Sequence, residues 1–241
     1  MAKIEFLSFD QCRDLDCGYL VTVNLQHLFE SRSRPLLRSA IFDNPKARLC
    51  IDGRGALLLL ERMAGHALPL VVGNEVLRAR LDRASSQGEK ILVIGSTPDV
   101  ISAVEQRWPG LRITHDASRV MISDDAEAKN SAKRVLSSYG DRFDYIAIAL
   151  GVPKQELLAA ALSENRPNMP IYCIGGSFEM LTGKLRRAPS FVQRIGLEGL
   201  WRLMLQPRRD RLDRLVRSYW SFAVFLLHPN RLRKLFGARF K

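Results

Sequence analysis

The sequence predicts an α/β fold, in which a Rossmann-like parallel sheet is covered by helices on both faces and followed by a basic helical appendage. Short apolar runs, each long enough for one buried strand, alternate with helix-like segments at intervals of about 25–35 residues. Several of these runs stop at a glycine and turn into a helix, which is the repeating unit of open parallel sheets. With 241 residues, of which 46% are apolar, the chain can fill a substantial core.

The charge of the chain is concentrated at one end. Residues 184–241 contain 15 Lys and Arg against 3 Asp and Glu, so they account for the whole formal charge of +12. We therefore expect a neutral globular domain over residues 1–190 and a basic appendage over residues 191–241. A strongly basic segment indicates an anionic partner, such as nucleic acid, anionic lipid headgroups or a phosphate-bearing substrate.

The most informative stretch covers residues 144–156. Its apolar run, residues 145–150, is stopped by Gly151 and Pro153, and the polar trio Lys154, Gln155 and Glu156 then opens a helix to residue 162. Ligands of open α/β sheets lie at the carboxyl ends of such strands, where free backbone N–H groups and the helix dipole favour phosphate. A plain structural turn would need only a helix cap, so the polar trio indicates a binding site.

The remaining elements are read from apolar periodicity and from Gly and Pro breaks, while residues 1–18 yield no clear element. Further strands are predicted at 19–24, 47–51, 90–94, 111–114 and 170–174, and residues 68–72 form a short apolar run that ends at Gly73. Further helices are predicted at 25–31, 56–64, 75–86, 99–108, 124–138, 191–205 and after residue 207.

Small polar residues and a carboxylate follow the first two strands. Thr22 and Asn24 lie on one face of a strand by the period of two, so they could line a site, although Asn24 could instead cap the next helix. Asp52 ends the second strand before the flexible Gly53, a position suited to a general base. Asp52 could equally cap the helix that follows it.

Two other strand ends carry glycine turns. Gly95 and Ser96 resemble a nucleotide-binding turn, and Gly175 and Gly176 end the last predicted strand. Neither turn has the G-x-G-x-x-G spacing, so a dinucleotide fingerprint is absent.

We expect no metal and no cofactor. Asp14 and Asp16 spell the D-x-D that holds a divalent metal in many sugar-nucleotide enzymes, but no strand precedes them, so a surface turn is the preferred interpretation. The four cysteines form no C-x-x-C pair and are interpreted as reduced thiols. The first residues lack an apolar signal core, which predicts a cytoplasmic protein.

The basic appendage combines arginines with an apolar run. Arginines recur every three residues after Pro207, and the helix continues into the apolar residues 219–227. This run is far shorter than the roughly 20 residues needed to span a bilayer, but it suits a helix that lies in the membrane interface. The alternative is a C-terminal helix that docks its apolar side on the domain or on a second subunit.

Four blocks, in this order and spacing, resemble the WecG/TagA/CpsF glycosyltransferases over residues 19–217. The blocks are Thr22-x-Asn24, Asp52-Gly53, Gly151-x-Pro153-Lys154-Gln155-Glu156, and a last block from Gly175 through Arg187-Ala188-Pro189 to Leu197-Glu198 and Arg202-Leu203. The resemblance implies an inverting, metal-independent transfer that builds bacterial surface polymers. The donor would be a UDP-sugar carrying N-acetylmannosamine, its uronic acid or a related hexose, and the acceptor would be linked to polyprenyl pyrophosphate.

The resemblance also implies roles for individual residues. Asp52 matches the proposed base, Thr22, Asn24 and Gln155 match pocket residues, and arginines of the appendage would meet the charge of the departing UDP. The residues expected to bind substrate are Gly53, Gly95, Ser96, Gly151, Pro153, Lys154, Glu156, Gly175, Gly176, Phe178, Arg187, Arg208, Arg211 and Arg214. The implied partners are the UDP-sugar, the lipid-linked acceptor and an anionic membrane surface at the inner face of the cytoplasmic membrane, with a homo-oligomer possible and no nucleic acid.

The sequence departs from the family pattern at several positions. Leu70 stands where the family has an arginine, and Arg54 is a cation that could replace it. Glu179 stands where aspartate is usual, Gly199 stands where tryptophan is usual, and a Gly-Tyr-Phe element expected near residues 115–125 is missing.

Three other functions remain open at this point. The basic appendage could bind nucleic acid, although duplex binding does not call for an adjoining apolar run. A doubly wound sheet could serve an NAD-linked dehydrogenase, but the fingerprint turn and its acidic partner are absent. A catalytically degenerate scaffold of a polysaccharide assembly complex is the third, because Leu70 replaces the family arginine.

Overall fold

The computed structural model describes residues 4–140, 142–186, 188–189, 192, 198–205, 207 and 209–227. Within these residues, six parallel strands form one sheet in the order β2-β1-β6-β5-β3-β4. The strands are β1 (Tyr19–Val23), β2 (Ala47–Ile51), β3 (Lys90–Gly95), β4 (Arg112–Asp116), β5 (Tyr145–Ala149) and β6 (Ile171–Cys173). The predicted Rossmann-like α/β fold is confirmed.

Helices cover both faces of the sheet. The first face carries α2 (Leu25–Ser33), α3 (Pro35–Arg38) with a π-helical turn (Ser39–Asp43), α4 (Arg54–Ala64), α7 (Asp125–Tyr139) and α8 (Lys154–Asn165). The second face carries α1 (Phe9–Arg13), α5 (Gly73–Gln87), α6 (Pro98–Arg107) and α9 (Ser177–Leu181). Two helices of the appendage follow, α10 (Glu198–Leu205) and α11 (Arg209–Leu227).

The strands are apolar on both sides because both sides are buried. In β3, Leu92 and Ile94 join the core of the first face, whereas Ile91 and Val93 join the core of the second. The central strands therefore read as continuous apolar runs rather than as alternating ones, which is typical of parallel sheets.

The short apolar run of residues 68–72 is not among the six strands of the described sheet. The segment makes an isolated parallel bridge, between Leu70 and Ile51, and the Val71 N–H donates to the Ile51 carbonyl at 2.9 Å. Pro69 has no N–H to contribute to a ladder, and α5 begins at Gly73. The segment therefore runs beside the edge of β2 without adding a strand to the sheet. Helix α1 lies in the N-terminal stretch for which the sequence predicted no element.

The direction in which the chain adds strands to the sheet reverses between β3 and β5. The chain leaves β3 for the edge strand β4, whereas it leaves β5 for β6 on the opposite side. The helices that follow β3 and β5, α6 and α8, consequently cover opposite faces. Such a reversal opens a crevice at the carboxyl ends of the two strands, which is where open α/β sheets bind ligands.

Helix α11 docks on the domain through its C-terminal half. Phe225 is 1% exposed and stacks on Phe29 of α2 with ring centroids 5.8 Å apart, while the Arg32 guanidinium lies 5.2 Å from the Phe225 ring. Phe222 and Leu226 pack against the same core. The sequence left two alternatives for this helix, binding in the membrane interface and docking on the domain. This side of α11 docks on the domain. No helix among the described residues is both long enough and apolar enough to cross a membrane.

Much of the other predicted appendage helix, residues 191–205, lies outside the described part of the chain. Within it the structure describes Val192 and α10.

The docking of α11 can be tested by truncating its buried ring. Phe225→Ala should lower the free energy of unfolding by about 3 kcal/mol, because a buried aromatic side chain is lost and a cavity remains. Urea unfolding followed by circular dichroism measures this change. Trp220→Ala is the matched control, since Trp220 is 72% exposed on the same helix and should change stability by less than about 0.5 kcal/mol. Equal effects of the two substitutions would contradict the docked position.

Candidate active site

The predicted site residues gather along one edge of the sheet. Asp52 follows β2, Asn24 follows β1, Gly175 lies just beyond β6, Gly151 follows β5 and Gly95 ends β3. Because all six strands are parallel, their carboxyl ends share this edge. Asp52 and the Gly151 turn are three strand spacings apart, which is about 14 Å at about 4.8 Å per spacing.

Asp52 and Thr22 converge on Gly73. A Cβ atom placed on Gly73 would lie 2.9 Å from the Thr22 Cγ2 and 3.5 Å from the Asp52 Oδ2, so only glycine leaves this space open. The three residues line a narrow cleft together with Cys173 and Ser177. The Asp52 carboxylate and the Thr22 side chain, through its methyl group, therefore border the same small space at neighbouring strand ends.

The helix-cap alternatives for Asp52 and Asn24 have different outcomes. The N-cap of α4 is Gly53, with no side chain capping the helix, so Asp52 does not serve as this cap. Asn24 does cap α2, because its Oδ1 accepts from the Gln26 N–H at 3.0 Å and from the His27 N–H at 3.4 Å. The carboxamide oxygen of Asn24 is thus committed to the backbone of α2.

Three buried polar side chains lie behind the cleft. His27, Gln155 and Glu156 are 1%, 4% and 0% exposed. The Glu156 Oε1 lies 2.9 Å from the His27 Nε2 and 2.6 Å from the Gln155 Nε2. The Gln155 Oε1 in turn accepts from the Gly175 N–H at 2.9 Å. We call these three residues the buried triad.

Glycine turns bring the backbone of β3 close to β5. Gly95 has φ +89°, and a Cβ there would lie 2.7 Å from the Ala149 carbonyl oxygen, so this position requires glycine. Ser96 follows with φ 65°, a conformation uncommon for a residue with a side chain. Its Oγ donates to the Glu179 Oε1 at 3.2 Å. The second Glu179 oxygen is buried without a hydrogen-bond partner among the described residues and points toward Gly176.

Other predicted substrate-binding residues are used within the protein. The Lys154 Nζ donates to the Val120 carbonyl at 3.1 Å and so ties α8 to the loop after β4. Phe178 is fully buried in the core of the second face, and Glu156 is fully buried in the triad. A ligand could reach Phe178 or Glu156 only if surrounding atoms moved. Pro153 is the N-cap residue of α8, after a cis Val152–Pro153 bond.

The predicted arginines cannot be compared with this geometry. Arg211 and Arg214 belong to α11, but their side chains lie outside the described part of the structure, as do Arg187 and Arg208 entirely.

The D-x-D sequence lies away from the cleft. Asp14 and Asp16 are exposed in the turn before β1, at the amino end of the sheet. The hydrogen bond from Arg13 lowers the pKa of Asp14 to about 2, and Arg83 also donates to this carboxylate at 2.5 Å. Among the described residues, no three His, Cys, Asp or Glu side chains are grouped so that they could hold a metal ion.

A cysteine nucleophile is also absent from this cleft. Cys173 lies at the end of β6, where burial raises the pKa of its thiol. The thiol is therefore protonated at neutral pH and donates to the Gln155 carbonyl at 3.7 Å. The acid–base group that the cleft offers is the Asp52 carboxylate.

Sequence reasoning missed three residues at this edge. Gly73 was recognised only as the end of an apolar run, and Glu179 only as a departure from a family pattern. His27 is the third residue of α2 and completes a capping box with Asn24, a local signal that could have drawn attention to it. Its contact with Glu156 joins residues 129 positions apart, so no local pattern predicts it.

A model of a known protein family matches most of the chain. The family model described as the glycosyl transferase WecG/TagA/CpsF family matches residues 6–235 of the 241, a longer span than residues 19–217, which carry the quoted motifs. Members of this family are glycosyltransferases. The chain therefore belongs to the WecG/TagA/CpsF family of glycosyltransferases.

Proposed function

We propose that this glycosyltransferase is an inverting, metal-independent enzyme that transfers a sugar from a UDP donor to a polyprenyl-pyrophosphate-linked acceptor. The transferred sugar would be N-acetylmannosamine, its uronic acid or a related hexose, and the product would be a bacterial surface polymer or exopolysaccharide. The observation that carries the proposal is the convergence of Asp52 and Thr22 on one cleft in a member of this family.

The proposed reaction is a single displacement. The acceptor hydroxyl oxygen attacks the anomeric carbon of the donor, forming the new glycosidic bond while the bond from that carbon to the UDP oxygen breaks. The hydroxyl proton passes to the Asp52 carboxylate, and UDP leaves with the bonding electron pair. Attack opposite to the leaving group inverts the anomeric configuration. Thr22, beside Asp52, would orient the acceptor hydroxyl through its own hydroxyl group.

The departing UDP carries negative charge that must be stabilised. We assign this role to backbone N–H groups at the Gly95, Gly151 and Gly175 turns and to the appendage arginines Arg208, Arg211 and Arg214. Charge-assisted hydrogen bonds from arginine to phosphate are stronger than neutral ones and can replace a divalent metal in this role.

A scaffold without catalytic activity is the second candidate function, because of Leu70. This residue stands where the family pattern has an arginine, and it bridges to Ile51, the residue before Asp52. An apolar side chain, 38% exposed, thus occupies a place beside the proposed base where a cation was expected. Arg54, exposed at the start of α4, is the cation nearest to Asp52 in sequence. In an active enzyme, Arg54 would take over the role of the family arginine.

The proposed acceptor is a lipid, and α11 offers a surface suited to a membrane. Leu212, Val216 and Trp220 recur every four residues and are 47%, 59% and 72% exposed, so they form an apolar stripe on the side of the helix that does not dock. Exposed Arg209 accompanies the stripe. An amphipathic helix with these groups suits the headgroup layer of an anionic membrane.

The role of Asp52 can be tested with Asp52→Asn. Loss of the base should lower kcat by about 10²- to 10⁴-fold while UDP affinity stays within a few fold. Wild type and variant are incubated with a panel of UDP-sugars and a short-chain lipid-pyrophosphate acceptor, and products are measured by mass spectrometry. Asp10→Asn, at an exposed carboxylate on α1, is the control and should keep wild-type activity.

Two results would contradict this proposal. A wild-type enzyme that transfers no sugar from any donor would favour the scaffold. A strict requirement for Mn²⁺, revealed by EDTA treatment, would contradict the metal-independent mechanism and direct attention to Asp14 and Asp16.

The arginines of α11 generate a separate prediction. Replacing Arg211 or Arg214 with Gln should lower kcat by about ten- to a hundredfold, because a charge-assisted contact to the leaving group is lost. Steady-state kinetics with saturating acceptor measures the change. Arg217→Gln is the matched control, since the Arg217 Nε already donates to the Asp213 carbonyl at 3.1 Å within the same helix. If all three variants retained full activity, these arginines would have no role in UDP departure.

Membrane binding can be tested on the exposed stripe. Trp220→Ser should weaken binding to vesicles of anionic phospholipid by about tenfold, because a large interfacial aromatic side chain is removed. Vesicle flotation measures the bound fraction, and Met121→Ser, in the loop after β4, controls for the loss of an exposed apolar side chain elsewhere in the protein. Steeply salt-dependent binding to duplex DNA without vesicle binding would instead favour a nucleic-acid-binding appendage.

A further inference from the structure

The buried triad contains a carboxylate whose position in the core needs an explanation. Glu156 has no exposed surface, and its Oε2 has no hydrogen-bond partner among the described residues. Burying a carboxyl group with one unsatisfied oxygen costs free energy, and a well-packed apolar replacement of a whole buried polar cluster is often as stable or more stable. The triad therefore contributes something other than stability at this place.

The donors and acceptors of the triad are fixed by two backbone groups. The Asn24 N–H donates to the His27 Nδ1 at 3.2 Å, so the proton of the neutral imidazole lies on Nε2 and points to Glu156. The Gly175 N–H donates to the Gln155 Oε1, which leaves the Gln155 amide group to donate to Glu156. Both chains of hydrogen bonds end on one atom, the Glu156 Oε1.

These hydrogen bonds link parts of the site that belong to different strands. Asn24 follows β1, Gly175 follows β6, and Gln155 and Glu156 open the helix after β5. Strands β1 and β6 pair directly only as far as Val21 and Cys173, so beyond these residues the strand ends have no ladder bonds between them in the described structure. The triad supplies the connection at the level where the proposed substrates would bind.

We propose that Glu156 and His27 are positioning residues of the transferase. Glu156 accepts a hydrogen bond from the Gln155 carboxamide, and this carboxamide in turn fixes the Gly175 turn. His27 links the same carboxylate oxygen to the backbone N–H of Asn24, two residues after Thr22. The pair sets the distance between the acceptor side of the cleft and the glycine turns that face the donor phosphates. This inference rests on the proposed function, because it assumes that donor and acceptor bind along this edge.

Two substitutions of Glu156 separate positioning from stability. Glu156→Leu removes the shared acceptor at similar volume, and Glu156→Gln removes the charge but keeps an acceptor oxygen. We expect Glu156→Leu to lower the melting temperature, because the buried Gln155 and His27 donors lose their acceptor. At a temperature where this variant is fully folded, kcat should still fall by about ten- to a hundredfold with KM for the donor within about threefold. Glu156→Gln should restore kcat to within about threefold of wild type. Ser163→Ala is the control, since Ser163 is buried on the same helix and its Oγ donates to the Ala160 carbonyl at 2.8 Å within that helix.

Amide hydrogen exchange gives a readout that does not depend on catalysis. Glu156→Leu should accelerate exchange of the Gly175 and Asn24 amides by about tenfold, because both lose the partner that orders their acceptors. His27→Gln should accelerate exchange at Asn24 but not at Gly175. Nuclear magnetic resonance of the full chain, without substrate, measures both amides.

Each outcome decides the inference. Wild-type kcat in Glu156→Leu, on an active enzyme, would overturn it, as would a loss of kcat in Glu156→Gln as large as the loss in Glu156→Leu. Unchanged exchange at both amides would overturn it even if the wild-type protein transferred no sugar. If transfer is absent but exchange rises at these two amides alone, the proposed function fails while the linkage between the strand ends stands.

Discussion

The pairing of β1 with β6 is the constraint on which the rest of the structure depends. Three residue pairs, from Tyr19 with Ile171 to Val21 with Cys173, join the strands β2 and β1 to the four strands on the other side. Asp52 and Thr22 lie on one side of this seam, and the Gly151 and Gly95 turns lie on the other. A cleft that handles two substrates along one edge therefore requires this short ladder to hold its register. The buried triad spans the seam where the ladder has ended, which gives a physical reason for polar groups in an otherwise apolar core.

The sequence predicted the sheet well because parallel strands are buried on both faces. Continuous apolar runs such as residues 145–150 have few other interpretations, and the glycine after each run marks the strand end. The apolar run of residues 68–72 has the composition of a strand but makes an isolated bridge to β2, because Pro69 has no N–H to donate to a ladder. Helix α1 was missed because five residues carry too little periodicity to be recognised.

The site was predicted only as far as local patterns reach. Asp52 and Thr22 follow from their positions at strand ends, and the structure adds that both face Gly73. The predicted roles of Glu156 and Phe178 as direct ligand contacts overlooked burial, which a motif does not encode. The triad depends on contacts between residues far apart in sequence, such as His27 with Glu156, and those contacts become visible only when the fold is known.

The stacking of Phe225 on Phe29 has a consequence for how the enzyme would meet a lipid. Phe29 lies about 6 Å along α2 from its first residue, at about 1.5 Å per residue, and α2 begins at the edge where Asn24 and Thr22 lie. Helix α11, which would lie among the headgroups, therefore packs against α2, the helix that begins at the acceptor side of the cleft. The height of the cleft above the bilayer would be set by this rigid attachment. An acceptor whose sugar lies at another distance from the bilayer could then not reach the cleft. Attachment to the membrane would thus select acceptors by their length.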